Sequence, residues 1–105
     1  MNRCPRGLIA AAAIGLAALA TAQPIDARRA AFLAGNCANC HGTHGRSAGA
    51  TPSLAGLPKA QFIEAMQQFR DARREATVMH QHAKGYTAEE TEALAEHFVR
   101  LPLTR

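Results

Sequence analysis

The chain has no tryptophan, one tyrosine and four phenylalanines, so aromatics make up 5% of its 105 residues. The apolar share is 48%, but much of it is alanine, and the area such side chains can bury is modest. A length of 105 residues suits one domain and leaves no room for a second. A domain this small usually needs a staple beyond its own core. Alternating runs of Val, Ile and Thr are missing, which argues against strands and against any βαβ unit. Of the three cysteines only one pair is closely spaced, and a structural zinc site built from two separated pairs is excluded. The longest apolar run, Gly7 to Ala20, falls short of the roughly 20 residues that a membrane-spanning helix needs.

That run reads instead as the core of an export signal. Arg3 and Arg6 supply a positive leading segment, and Ala20-Thr21-Ala22 places small residues at the cleavage positions, so cleavage is expected after Ala22. The sequence thus divides into a leader, residues 1–22, and a mature domain, residues 23–105. Cys4 stands before the apolar run, not after it where a lipid-modified cysteine would sit, and leaves with the leader. The whole chain carries a net charge of +4, whereas the mature part keeps ten basic and eight acidic residues, a net +2. Its basic balance is therefore partly a property of the leader and gives no ground for nucleic-acid binding. The expected location is the periplasm, with no membrane span once the leader is removed.

What the mature chain does have is the pentad Cys37-Ala38-Asn39-Cys40-His41. Two thiols with this spacing in a helical turn can reach the two vinyl groups of a protoporphyrin, and the adjacent imidazole then falls under the iron. The pattern is the known signature of c-type haem attachment. Cys37 and Cys40 are accordingly expected as the covalent links to one haem c, and His41 as the proximal iron ligand. A thioredoxin-like redox pair would want a βαβ context that the sequence does not offer. Zinc would need further ligands, for which His80 or His82 together with His41 are the candidates. The pentad holds the only thiols of the mature chain, so a disulfide between them would be the unfinished apo form.

Taken in order, Asp26 can cap a short first helix in which Ala27, Ala30, Ala31 and Ala34 recur at helical spacing, and Gly35 is expected to end or bend it. Gly42 to Ala50 is too rich in glycine and small polar residues for a regular element and reads as a loop, closed by Thr51-Pro52-Ser53-Leu54. Pro52 either supplies a carbonyl to the far ring nitrogen of His41, fixing its tautomer, or simply stiffens a turn. The longest helical pattern runs from about Lys59 to Glu75, with Phe62, Ile63, Met66 and Phe69 on its apolar stripe. Met66 reads as core filler there.

The segment Ala76 to Tyr86 follows as a loop. In it Met79 is the expected distal ligand, since His/Met coordination raises the reduction potential of the iron and suits an electron carrier. His80 and His82 are the competitors for that position and otherwise solvated loop residues. His44 and His97 are expected to be exposed or partly buried polar residues. Thr87 and Glu90 form a capping box that opens a last helix to about Arg100, with Leu94, Phe98 and Leu101 inward. Phe98 is expected to meet the alanine face and Gly35 of the first helix. Arg70, Arg73 and Arg74 either dock a partner or form a solvated helix face.

This order of elements resembles a class I cytochrome c, an all-α fold wrapped around one covalent haem, over essentially all of residues 23–105. More narrowly, Thr51-Pro52-Ser53-Leu54-Ala55-Gly56, Ala76-Thr77-Val78-Met79 and Ala83-Lys84-Gly85-Tyr86 resemble the cytochrome subunit of flavocytochrome c sulfide dehydrogenase. In that family the haem subunit accepts electrons from a flavoprotein subunit that oxidises sulfide. The resemblance implies thioether links at Cys37 and Cys40, a proximal ligand at His41 and a distal one at Met79. It implies one-electron transfer with no chemistry on a substrate of the chain's own, with a flavoprotein subunit or another redox protein as partner. The alternative is a freely diffusing monohaem carrier serving other periplasmic oxidoreductases or an oxidase. A haem enzyme or gas sensor would instead need a vacant sixth position.

Overall fold

The computed structural model describes residues 23–104; residues 1–22, over which an export leader is expected, lie outside the described residues, as does Arg105. Four α-helices carry the fold: α1 (Ala27–His41), α2 (Lys59–Arg70), α3 (Met79–Lys84) and α4 (Ala88–Val99), with a short 3₁₀ turn at Thr43–Gly45. No strand occurs among the described residues, as the missing alternation requires.

Both long terminal helices begin where their capping residues direct. Asp26 accepts a hydrogen bond from the Arg29 N–H at 2.8 Å and starts α1. Thr87 and Glu90 make both halves of the capping box at 3.1 Å each, which starts α4. On α1 the buried small residues are Ala30 and Ala34, one turn apart, and Ala34 packs into the core that α4 supplies with Leu94, Ala95 and Phe98. Phe62 and Met66 of α2 and Ala83 of α3 complete the core, and the Phe62 and Phe98 rings stack at 5.7 Å. Arg29 and Glu90 pair at 3.2 Å where α1 meets α4. The pair is partly exposed and contributes no more than about 1 kcal/mol.

Three expectations are corrected. Gly35 neither ends nor bends α1: the helix runs through it to His41, and the stop is Gly42 at φ 84°, whose N–H bonds the Ala38 carbonyl. A Cβ on Gly42 would stand 2.0 Å from the Arg46 carbonyl oxygen, so the chain turns there with no room for a side chain. Helix α2 stops at Arg70, not near Glu75. Ala72 adopts the left-handed conformation at φ 55°, and Ala72 N–H bonds Phe69 O while Arg73 N–H bonds Gln68 O. Those two bonds are a complete Schellman cap, built without the glycine that ordinarily announces one. The methionine segment is not all loop, since Met79 to Lys84 form α3.

Candidate haem attachment site

The whole pentad lies on the last turns of α1. Cys37 and Cys40, three residues apart, fall on one side of the helix. Cys37 is half-buried against the core and Cys40 is exposed, and both thiols are free. Burial pushes the Cys37 thiol up from its ordinary range. A redox-active cysteine needs the opposite shift, because the thiolate is the reactive form. Nor are His80 and His82 gathered with the pentad: among the described residues no three His, Cys, Asp or Glu side chains converge to hold a metal ion.

His41 is the terminal residue of α1, and Gly42 turns the chain away beneath it. The loop that follows is pinned in three places. Leu54 N–H and Ala55 N–H both bond the Gly45 carbonyl, at 2.7 and 3.1 Å, and Gly56 N–H bonds the Phe98 carbonyl at 2.8 Å. Arg46 Nε donates to the Pro102 carbonyl at 2.7 Å. So held, the loop brings the Pro52 carbonyl within 2.6 Å of His41 Nδ1. A carbonyl oxygen can only accept, so Nδ1 carries the proton and Nε2 keeps a free lone pair, the form a ligating imidazole needs. Of the two readings of Pro52, the carbonyl acceptor is the one realised.

Met79 is the first residue of α3 and is half-buried against the core, where Cys37, Leu54, Leu57, Ile63 and Phe69 also lie half-covered. The donor set therefore fits a haem: two free thiols on one helical turn, an imidazole with Nε2 available, and partly covered apolar side chains that a flat apolar macrocycle can bury. Two cavities lie elsewhere. One of about 400 Å³ is bounded by Leu33 and Asn36 of α1 and by His82 and Tyr86, and one of about 110 Å³ lies between α2 and α4 beside Met66 and Thr91. Neither is lined by Cys37, Cys40, His41 or Met79.

The remaining singled-out residues are placed as follows. Met66 is buried in the core beside Phe62. His82 is exposed, but His80 is not a solvated loop residue: it is half-buried, its ring meets Phe69 edge-on at 6.3 Å, and Nε2 donates to the Arg74 carbonyl at 2.6 Å. His44 sits exposed in the left-handed region at φ 54°, and His97 lies half-buried with its ring edge-on to Phe98 at 5.2 Å. Phe98 meets Gly45, not Gly35, which is exposed with open space beside it; an added Cβ on Gly45 would stand 2.8 Å from the ring. Arg70, Arg73 and Arg74 are all exposed, and each also has a partner nearby. Arg70 bonds carbonyls at the end of α3, Arg73 pairs with Asp71 at 3.1 Å, and the Arg74 guanidinium lies 5.0 Å over the Phe69 ring. Sequence periodicity gives no sign of the Arg70 engagement, because its partners belong to the segment after α2, 13 and 16 residues away.

The model of the cytochrome c family matches residues 26–101. Over 90 residues, 86% of this chain, the sequence is 40% identical to the cytochrome subunit of sulfide dehydrogenase of Chlorobaculum tepidum and covers 82% of it. It is 35% identical over 98 residues to the thiosulfate dehydrogenase electron acceptor of Thiomonas intermedia, of which it spans 44%. It is 34% identical over 65 residues to cytochrome c-552 of Acidithiobacillus ferridurans, of which it spans 28%. Among the described residues no helix is long and apolar enough to cross a membrane. With the pentad on the last turns of α1 and the family match spanning all four helices, the chain belongs to the cytochrome c family, electron-transfer proteins that carry covalently bound haem c.

Proposed function

We propose that this chain is exported to the periplasm and serves there as the haem-bearing subunit that accepts electrons, one at a time, from a flavoprotein sulfide dehydrogenase. The observation that supports it most is the 40% identity to a cytochrome subunit of sulfide dehydrogenase, extending over 82% of that protein's length. In this reading Cys37 and Cys40 would form the thioether links to the haem, and His41 and Met79 would supply an imidazole nitrogen and a thioether sulfur to its iron. The bound group supplies a reversible one-electron couple. The chain supplies its setting. The Pro52 carbonyl orients His41 and, by drawing on its Nδ1 proton, makes Nε2 a stronger donor to iron. Met79 contributes a neutral thioether, which favours the reduced state and so a higher potential than a second imidazole would give. The core side chains exclude water from one side of the site, and no residue acts on a substrate.

A second reading, a carrier that diffuses between several sulfur-oxidising enzymes, draws support from the 35% identity to a thiosulfate dehydrogenase electron acceptor. Isolation of the protein from its native host separates the two. The subunit reading expects haem and flavin to travel in one particle, and sulfide added to that particle to produce the reduced haem spectrum. A flavin-free protein of one chain's mass that sulfide does not reduce contradicts it and leaves the free carrier.

A further inference from the structure

Helix α3 spans six residues, Met79–Lys84, far below the length at which a helix persists on its own in water. Its first residue is Met79, so whatever holds the helix also holds the thioether. The attachments come from α2 and the turn after it. Arg70 Nη2, on the last turn of α2, donates to the Ala83 carbonyl at 3.1 Å and to the Tyr86 carbonyl. The first is an acceptor in the last turn of α3, where the helix has no amide left to satisfy it and its dipole favours a cation, and the second lies two residues beyond the end of the helix. At the other end His80 donates to the Arg74 carbonyl at 2.6 Å and rests edge-on against Phe69. Between the two lies Ala83, 1% exposed, packed into the core.

We infer that Arg70 is a positioning residue for Met79: its guanidinium locks the C-terminal end of α3 to α2 and so keeps the thioether at the iron, with His80 as the second point of attachment. The inference rests on the reading of Met79 as distal ligand. A guanidinium suits the task because the two N–H groups of Nη2 lie in a fixed plane and can each serve one carbonyl, whereas an ammonium carries its three donors on a freely rotating head.

Imidazole in solution can reach the iron only when the segment bearing Met79 has moved away, so its apparent affinity reports how firmly that segment is held. The test is a titration of the oxidised holoprotein with imidazole, followed by loss of the sulfur-to-iron charge-transfer band. Relative to wild type, Arg70→Gln is expected to bind imidazole about tenfold more tightly, which corresponds to about 1.4 kcal/mol of lost attachment. Arg70→Lys is expected to fall between the two. Asp26→Ala, which removes a cap far from α3, and Arg73→Gln, which frees only Asp71, are expected to match wild type. Equal affinity in Arg70→Gln and wild type overturns the inference, as does an equal gain in Asp26→Ala, which would trace the effect to global stability. Should Arg70→Gln not accumulate as folded holoprotein, Arg70→Lys decides in its place, and wild-type affinity in that variant overturns the inference. A wild-type protein without the charge-transfer band removes Met79 as ligand and this inference with it, whereas a band with unchanged affinities removes the inference alone.

Discussion

His41 Nδ1 donates to the carbonyl of Pro52 at 2.6 Å, joining the last residue of α1 to a loop residue 11 positions further along the chain. Because the acceptor is a backbone oxygen, no side-chain replacement at position 52 deletes it. Pro52→Ala is therefore expected to leave the haem spectrum and potential unchanged while costing about 0.4–1 kcal/mol of stability, through the greater freedom of the unfolded chain. Urea unfolding of the holoprotein beside its visible spectrum checks both halves. An altered spectrum would mean that the ring itself, and not the carbonyl, orients His41.

Ala72 ends α2 in the left-handed region at φ 55°, a conformation that carries a steric cost of about 1–2 kcal/mol for a residue with a Cβ. Glycine removes that cost and returns part of the gain as unfolded-state entropy. The expected net effect of Ala72→Gly is stabilisation by about 0.5–1 kcal/mol, read as a higher midpoint in denaturant.

Gly45 faces the Phe98 ring at φ 72°, and an added Cβ would meet the ring at 2.8 Å. The ring is 1% exposed and stacked on Phe62, so it has nowhere to move. Gly45→Ala is expected to cost about 2–5 kcal/mol, from backbone strain and overpacking together. Gly35→Ala, on an exposed helical face with open space around it, is expected to stabilise by up to about 1 kcal/mol. Thermal unfolding of the two variants side by side checks the contrast.

Burial, and then the positive charge that His44 acquires, hold the His97 imidazole below its ordinary range. In the unfolded chain the ring takes its proton near pH 6.5, while in the fold it resists. The stability linked to His97 is therefore complete above about pH 6.5 and declines as the pH falls through that value toward the lower folded one. His97→Gln is expected to flatten the dependence of the urea midpoint on pH across this window. The carboxylates act lower. Glu90, held down first by the Thr87 backbone N–H, and Glu96, first by Lys59, release their contribution only as the pH falls below their ordinary value of 4.5.

Much of the site can be read from the sequence because its signals are local. The pentad lies within five consecutive residues, the Asp26 and Thr87 caps act within one turn, and the stripe of Phe62 and Met66 follows the helical period. What could not be read depends on partners distant in sequence or on unusual backbone. Gly35 looked like a helix stop, yet the helix continued because Ala34 and Cys37 gain from packing on the core, which outweighs the small penalty of one glycine. The end of α2 was hidden because alanine stands at the left-handed cap. Helix α3 was missed because six residues give too short a pattern and its support comes from Arg70, which sequence periodicity assigns to the solvent face. The contact of Phe98 with Gly45 instead of Gly35 follows from the Gly45 carbonyl's bonds to Leu54 and Ala55, which no local pattern announces.

Whether His41 and Met79 together ligate one haem iron is decided by the visible spectrum of the oxidised holoprotein and of Met79→Ala. The wild-type protein is expected to be low-spin with a sulfur-to-iron charge-transfer band, and Met79→Ala to lose that band with a fall in potential. A wild-type spectrum without the band, or a Met79→Ala protein whose spectrum and potential match wild type, would contradict that ligation.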